Sequence, residues 1–91
     1  MADLEGIRLQ ANEITCNTVA NSVYSNGLIK LTNIDTAAHL ITLSFANGTV
    51  YATTTIAANV DLYIQKGYTD LISSNATTAV VLATPVRRET I

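Results

Sequence analysis

The residues with which this chain could do acid–base, nucleophilic or metal chemistry are few: His39, Cys16 and the aspartates Asp35, Asp61 and Asp70. An imidazole acting as general base needs a nucleophile and a carboxylate converging on it, and no serine here stands in a strained elbow such as G-x-S-x-G. His39 is therefore expected to be structural, at the margin of a sheet. One cysteine forms neither an intrachain disulfide nor a thiolate cluster, so Cys16 reads as a small apolar residue. The three aspartates fall at expected turns or strand starts, where carboxylates accept backbone hydrogen bonds. Their separations do not fit a calcium loop. No catalytic residue, cofactor or metal is expected, and an enzyme is the least supported class.

Tyr24, Tyr51, Tyr63 and Tyr68 carry a different possibility. Tyrosine is enriched at protein interfaces, and aromatic rings on an exposed sheet face can also stack sugars. Tyr51 and Tyr63 are the two expected to point outward. The triplets Asn47-Gly48-Thr49 and Asn75-Ala76-Thr77 match the glycosylation pattern but are better explained as turn chemistry. A formal net charge of −2 and a pI near 5.0 argue against direct nucleic-acid binding through a basic stripe. Arg87 and Arg88, the one adjacent basic pair, read as a solvated end. The beginning MADLEGIRLQ lacks the pattern of a secretory signal, and the apolar run 79–83 is far too short to span a bilayer. No membrane partner is expected.

Strands must position these residues. Residues 36–59 contain no Asp, Glu, Lys or Arg, and Asn47-Gly48 separates LITLSFA from TVYATTTI. Asn-Gly tolerates positive φ at both centres of a type I′ turn, which predicts a two-residue hairpin. Counting outward pairs Phe45 with Val50, Leu43 with Ala52, Ile41 with Thr54 and His39 with Ile56, a mostly apolar core row. The other row, with Leu40, Thr42, Ser44, Tyr51, Thr53 and Thr55, is rich in threonine and uncharged. An ordinary solvent-facing sheet carries Lys and Glu that discourage association, so this row is expected to be covered by a partner.

Further turns are expected at Asn26-Gly27, 33–36, 57–59, 65–67 and 74–76. They recur every 8–12 residues or so, as in a sandwich or barrel. The expectation is an all-β fold, a small antiparallel β-sandwich, Ig-like or jelly-roll-like, with an extended N-terminal arm. Residues 1–27 make that arm or early strands, a short helix over 3–9 being the other local option. Residues 28–91 make the sandwich, with Pro85 ending the last strand or lying on an edge and VRRETI forming a short tail that is exposed or lies against a neighbour. Charged residues are only 13% of the 91. A domain this small buries about 60–65% of its unfolded surface, so assembly is expected to support it.

The stretch 31–83, from Leu31 and Asn33 through Ile41, Leu43, Ile56, Leu62, Ile64, Gly67 and Leu71 to the Ala79–Leu82 region, resembles small β-sandwich virion proteins of tailed bacteriophages. Those proteins show a strand ending Leu-x-Asn, a strand reading Ile-Thr-Leu, a second ending in Ile, a glycine turn and Ala/Val-rich final strands. Where they often place Pro-Ala-Gly this chain has Ala57-Ala58-Asn59, and Tyr68-Thr69 intervenes between Gly67 and Asp70. The resemblance implies a capsid decoration or cement protein that contacts the major capsid protein, made in the host cytoplasm and located in the virion. A neck, tail or baseplate subunit is the alternative, and a glycan-binding module the third reading. A homo-oligomer, drawn as a trimer, is expected. The expected interface comprises Ile7 and Leu9 in the arm with Thr42, Tyr51, Thr53 and Tyr63. On this reading, deleting residues 1–20 leaves a folded domain unable to join its particle.

Overall fold

The computed structural model describes residues 5–90, the side chains of Glu5, Glu89 and Thr90 excepted. These residues form eight antiparallel strands and no helix. The larger sheet contains β1 (Glu5–Leu9), β2 (Ile14–Thr15), β3 (Leu28–Asn33), β6 (Asp61–Gln65) and β8 (Val81–Thr90), in the order β1-β8-β3-β6 with β2 also paired to β8. The smaller contains β4 (His39–Ser44), β5 (Val50–Ile56) and β7 (Leu71–Ser74), in the order β5-β4-β7. The fold is thus the expected all-β antiparallel sandwich. From β3 onward only β4–β5 is a hairpin, and every other connection crosses between sheets.

Alternation decides which faces meet. In β3, Ile29, Leu31 and Asn33 are buried while Leu28, Lys30 and Thr32 are half-buried, the period of two expected of a sheet with one covered face. Ile29, Leu31, Val81 and Ala83 of the larger sheet pack against Ile41, Ile56 and Ile72 of the smaller. Cys16 and Val23, from the segment linking β2 to β3, complete this core. It contains no aromatic ring.

The N-terminal segment forms early strands over its described residues. Leu9 pairs with Val86 and Ile14 with Ala83, so β1 and β2 lie end to end along one side of β8. The helix considered over 3–9 is replaced by strand from Glu5 onward, and its first two residues lie outside the described residues. After β2 the chain crosses to the smaller sheet: the Ser74 N–H donates to the Asn17 carbonyl (2.8 Å), and Asn21 and Ile72 exchange both backbone bonds (3.0 and 2.9 Å). That strap covers the outer edge of β7.

The tail is also strand. β8 continues through Pro85 to Thr90, correcting the expected end at Pro85; the tail, whose last residue, Ile91, lies outside the described residues, is strand paired to β1, with Arg87 and Arg88 exposed. The physical reason is local. A residue's N–H and C=O point to the same side of a strand, and the Pro85 carbonyl accepts from the Gln10 N–H (2.9 Å). The missing proline N–H therefore faces the gap between β1 and β2, where no ladder bond is lost.

Candidate functional site

The β4–β5 hairpin closes differently from the two-residue turn expected. Gly48 donates to the Phe45 carbonyl (2.8 Å) and Phe45 to the Thr49 carbonyl (2.8 Å), enclosing the three-residue loop Ala46-Asn47-Gly48. Only Gly48 has positive φ, at 92°, as in a tight turn followed by a left-handed residue. The Asn47 side chain accepts from the Thr49 N–H (2.9 Å), which is the turn role expected of that triplet. A three-residue loop shifts the pairing by one, and Ser44 accordingly faces Val50. An irregularity between Leu43 and Ser44 then restores the expected pairs Leu43–Ala52, Ile41–Thr54 and His39–Ile56.

Of the expected core row, Ile41 and Ile56 are buried and Leu43 is packed against the core. Phe45 and Val50 are not: they are 49% and 57% exposed. Ala52 and Thr54 are exposed as well, because β5 is an outer strand whose inner face extends past the cover of the larger sheet. Every residue from 50 to 55 is exposed. Conversely Ser44, placed on the outer row, is buried. Thr42 pairs with Thr53 on the outer face, and the Phe45 and Tyr51 rings lie 4.6 Å apart at the hairpin's end.

The six expected interface residues do not form one surface. Thr42, Tyr51 and Thr53 belong to the hairpin in the smaller sheet. Ile7 and Leu9 are exposed on β1, and Tyr63 is exposed on β6, at the opposite side of the larger sheet. Missed in the sequence were Phe45 and Val50 as exposed apolar groups, whereas Leu40, placed on the outer row, is exposed as expected. All five aromatic residues of the chain, Phe45 and the four tyrosines, are exposed. Aromatic rings usually dominate the burial in a core, so their placement outside an aliphatic one leaves much apolar surface for contact.

His39 ties two turns together. Its Nε2 lies 2.8 Å from an Asp35 carboxylate oxygen, and its Nδ1 lies 3.0 Å from the Asn75 side-chain oxygen. Two acceptors favour the doubly protonated ring. The bond to Asp35, then that to Asn75, raises the His39 pKa, and the bond from His39 lowers that of Asp35. The raised imidazole stabilises the fold fully below its unfolded value of about 6.5 and loses that contribution as pH rises through its folded value. The lowered carboxyl contributes above about 3.9 and loses its contribution as pH falls. The stability margin of the wild type over His39→Gln is thus expected to be largest between about pH 4 and 6.5 and to shrink at higher pH. Urea titrations of both proteins from pH 4 to 9 measure it, and a margin that grows with pH contradicts the assignment.

Cys16 is 4% exposed, and burial pushes its thiol up to about 11. It is a core residue, as its sequence context suggested.

A groove of about 820 Å³ opens at one end of the sandwich. Its walls come from the 26–28 link, the 65–68 turn, Tyr51 of the hairpin, Gln10 and the 86–88 part of β8. The Tyr51 hydroxyl donates to Asp70 (2.8 Å), whose same oxygen accepts from the Gly67 N–H (3.1 Å), so the hairpin and the turn are clamped together. The Tyr68 ring lies over Gly27, where a Cβ would sit 2.9 Å from its Cε1. Arg87 and Arg88, read in the sequence as a solvated end, are exposed and line this groove. A smaller hollow beside it is lined by Leu28, Tyr63, Gln65 and Arg88. Tyr51 and Tyr63 therefore line different depressions. Comparison of the chain with protein-family models, with curated proteins and with solved structures finds no match.

Proposed function

We propose that this chain is a non-enzymatic virion structural protein of a tailed bacteriophage, a capsid decoration or cement subunit that stabilises the head by contact with the major capsid protein. The observation that carries the reading is the β5 edge. Among the described residues β5 pairs only with β4, its residues 50–55 are all exposed, and none of them is charged. A bare strand edge invites another strand, and proteins that must stay apart blunt such edges with charge or proline. The other sheet does so: Arg8 lies on β1, and Asp61 on β6 pairs with Lys30 at 3.8 Å. On β5 those devices are missing, which suits a strand that ends its life paired to a partner or a second copy.

The test is the particle. Purified virions are expected to retain the protein in hundreds of copies, and heads lacking it to rupture at a lower temperature, because a partner that binds only the assembled shell stabilises it. Absence from the particle overturns the reading. About 6 to 12 copies would instead indicate the neck, tail or baseplate alternative, as expected of rings on the tail axis.

Thr53→Lys probes the same surface. It puts a charge on an exposed position, so the isolated fold is expected to keep its stability within about 0.5 kcal/mol. Incorporation into particles is expected to fall at least tenfold, since covering an unpaired ammonium costs about 2 kcal/mol or more. Competition between the two proteins for empty heads reads the ratio. Equal incorporation would place the partner elsewhere.

A further inference from the structure

We propose that Asn47 is a site of spontaneous deamidation, at which the Gly48 backbone nitrogen closes on the Asn47 side-chain carbonyl, and that the fold withholds this reaction from the chain's other Asn-Gly pair, Asn26-Gly27. Water is the one co-reactant. The Gly48 nitrogen gives its proton to water or hydroxide and attacks the Asn47 Cγ, the bond from Cγ to the amide nitrogen breaks, and ammonia leaves. Water then opens either carbonyl of the five-membered imide, so aspartate or isoaspartate replaces asparagine.

Glycine opens the way in both pairs, having no Cβ to crowd its nitrogen. Their surroundings differ. Residues 45–50 are all exposed, and a Cβ placed on Gly48 would meet nothing within 4 Å. The Asn47 amide nitrogen makes no hydrogen bond among the described residues, so the leaving group is free. The Asn47 oxygen accepts from the Thr49 N–H (2.9 Å), a donor placed to receive the charge which that oxygen gains as the nitrogen adds. One restraint remains: the Gly48 N–H donates to the Phe45 carbonyl (2.8 Å) and has to let go first. At the tip of an exposed hairpin such a bond opens at little cost.

Asn26 is held. Its amide nitrogen donates to the Leu28 and Val86 carbonyls (2.7 and 2.8 Å), which ties the leaving group to β3 and β8. Asn26 and Gly27 are half-buried, and the Tyr68 ring lies so close to Gly27 that a Cβ there would sit 2.9 Å from it. In the second triplet, Asn75 is followed by Ala76, which is buried and whose N–H donates to the Ser74 hydroxyl (3.2 Å).

Conversion puts an ionised carboxylate into the run 36–59, which otherwise has no charged side chain, beside the exposed Phe45 and the Tyr51 ring stacked on it. Isoaspartate also adds a backbone atom to a three-residue loop. A chain left unassembled thus ages into a form that heads take up less readily. That consequence rests on the virion reading, whereas the chemistry at Asn47 does not.

In the experiment the purified full-length chain is incubated at pH 7, 8 and 9, native and in urea, and conversion at each asparagine is followed by peptide mass spectrometry. In the native chain Asn47 is expected to convert about tenfold faster than Asn26 or more, a difference in opening and approach that urea removes. The rate at Asn47 is expected to rise with pH, because the attacking nitrogen must lose its proton. Both aspartate and isoaspartate are expected, since direct hydrolysis of the side chain gives aspartate alone. Native Asn26 keeping pace with Asn47, or aspartate as the single product at 47, overturns the proposal. So does an Asn47 that stays intact in the native chain and converts only in urea, for the Phe45 bond would then protect it. Asn47→Asp keeps an acceptor for the Thr49 N–H, and in competition with the wild type for empty heads it is expected to be taken up less by about threefold or more. Equal uptake overturns the consequence for assembly. Normal uptake of Thr53→Lys as well would show that the contact surface, and not the chemistry, has failed.

Discussion

Deleting residues 1–20 is expected to leave a chain without a cooperative unfolding transition. The sequence favoured the opposite outcome, a folded domain that had lost only an arm. The structure places β1 and β2 along one whole side of β8, so the deletion bares the edge of the longest strand in the sandwich. It also removes Cys16 from the core and Ile14 from the layer packed against it. The Cys16 N–H to Val81 carbonyl bond and the Ser74 hydroxyl to Cys16 carbonyl bond go with them, leaving Ser74 buried without that acceptor. Finally, the strap at Asn17 no longer covers β7. Each lost bond or buried side chain contributes about 1–3 kcal/mol, and a domain of this size has about 5–10 kcal/mol in total. Circular dichroism melts and amide NMR dispersion check the outcome. A sigmoidal melt with dispersed resonances would mean that β8 is secure with β3 as its single long neighbour.

Asn33→Leu is expected to destabilise the fold by about 3 kcal/mol or more, by orphaning buried polar groups. Asn33 is fully buried at the end of β3. Its side-chain amide donates to the carbonyls of Ala37 (2.9 Å), Ile56 (3.3 Å) and Ala57 (3.1 Å), and its oxygen accepts from the Asp35 N–H (2.9 Å). One carboxamide thus ties the crossing from β3 to β4 to the crossing from β5 to β6. Leucine is similar in size, so packing changes little while four backbone groups lose a partner. The melting temperature of a domain this small is expected to fall by about 12 °C or more. Asn33→Asp separates volume from bonding: it keeps an acceptor, loses the amide donors and buries a charge, and is expected to be at least as damaging. A loss below about 1 kcal/mol for Asn33→Leu would mean that water replaces the amide.

The hairpin shows how far counting from a turn can go. Residues 39–43 pair as counted because the three-residue loop and the strand irregularity cancel, one shifting the register and the other restoring it. The two ends of that cancellation, Phe45 and Val50, are where the count failed. Asn59 illustrates a departure that the backbone absorbs: standing where the resembled proteins often have glycine, it takes a φ of 57°. Asparagine is among the residues that best tolerate that region. The run Val23-Tyr24-Ser25, with φ of 53°, 58° and 53°, had no such signal. No glycine marks it, and it is held by the Asn21 side chain on the Val23 N–H (2.7 Å) and by Asn26, which bonds the Leu28 and Val86 carbonyls.

By itself the sequence determined the all-β class, the strand rhythm from Leu28 onward and the core character of Cys16. These follow from short-range rules: alternation along a strand, turn residues between strands, and the apolar nature of a lone thiol. Tertiary structure alone decided which strands are neighbours and which faces are covered. Whether Phe45 is core or surface depends on how far the opposite sheet extends, and nothing within the hairpin records that length. Lys66, Arg87 and Arg88 come to line one groove because β6 and β8 both flank β3, an arrangement set by pairings between residues 29–37 and 48–58 positions apart in the chain. The bare β5 edge is of the same kind, since a strand becomes an edge only when every other strand has chosen its partner.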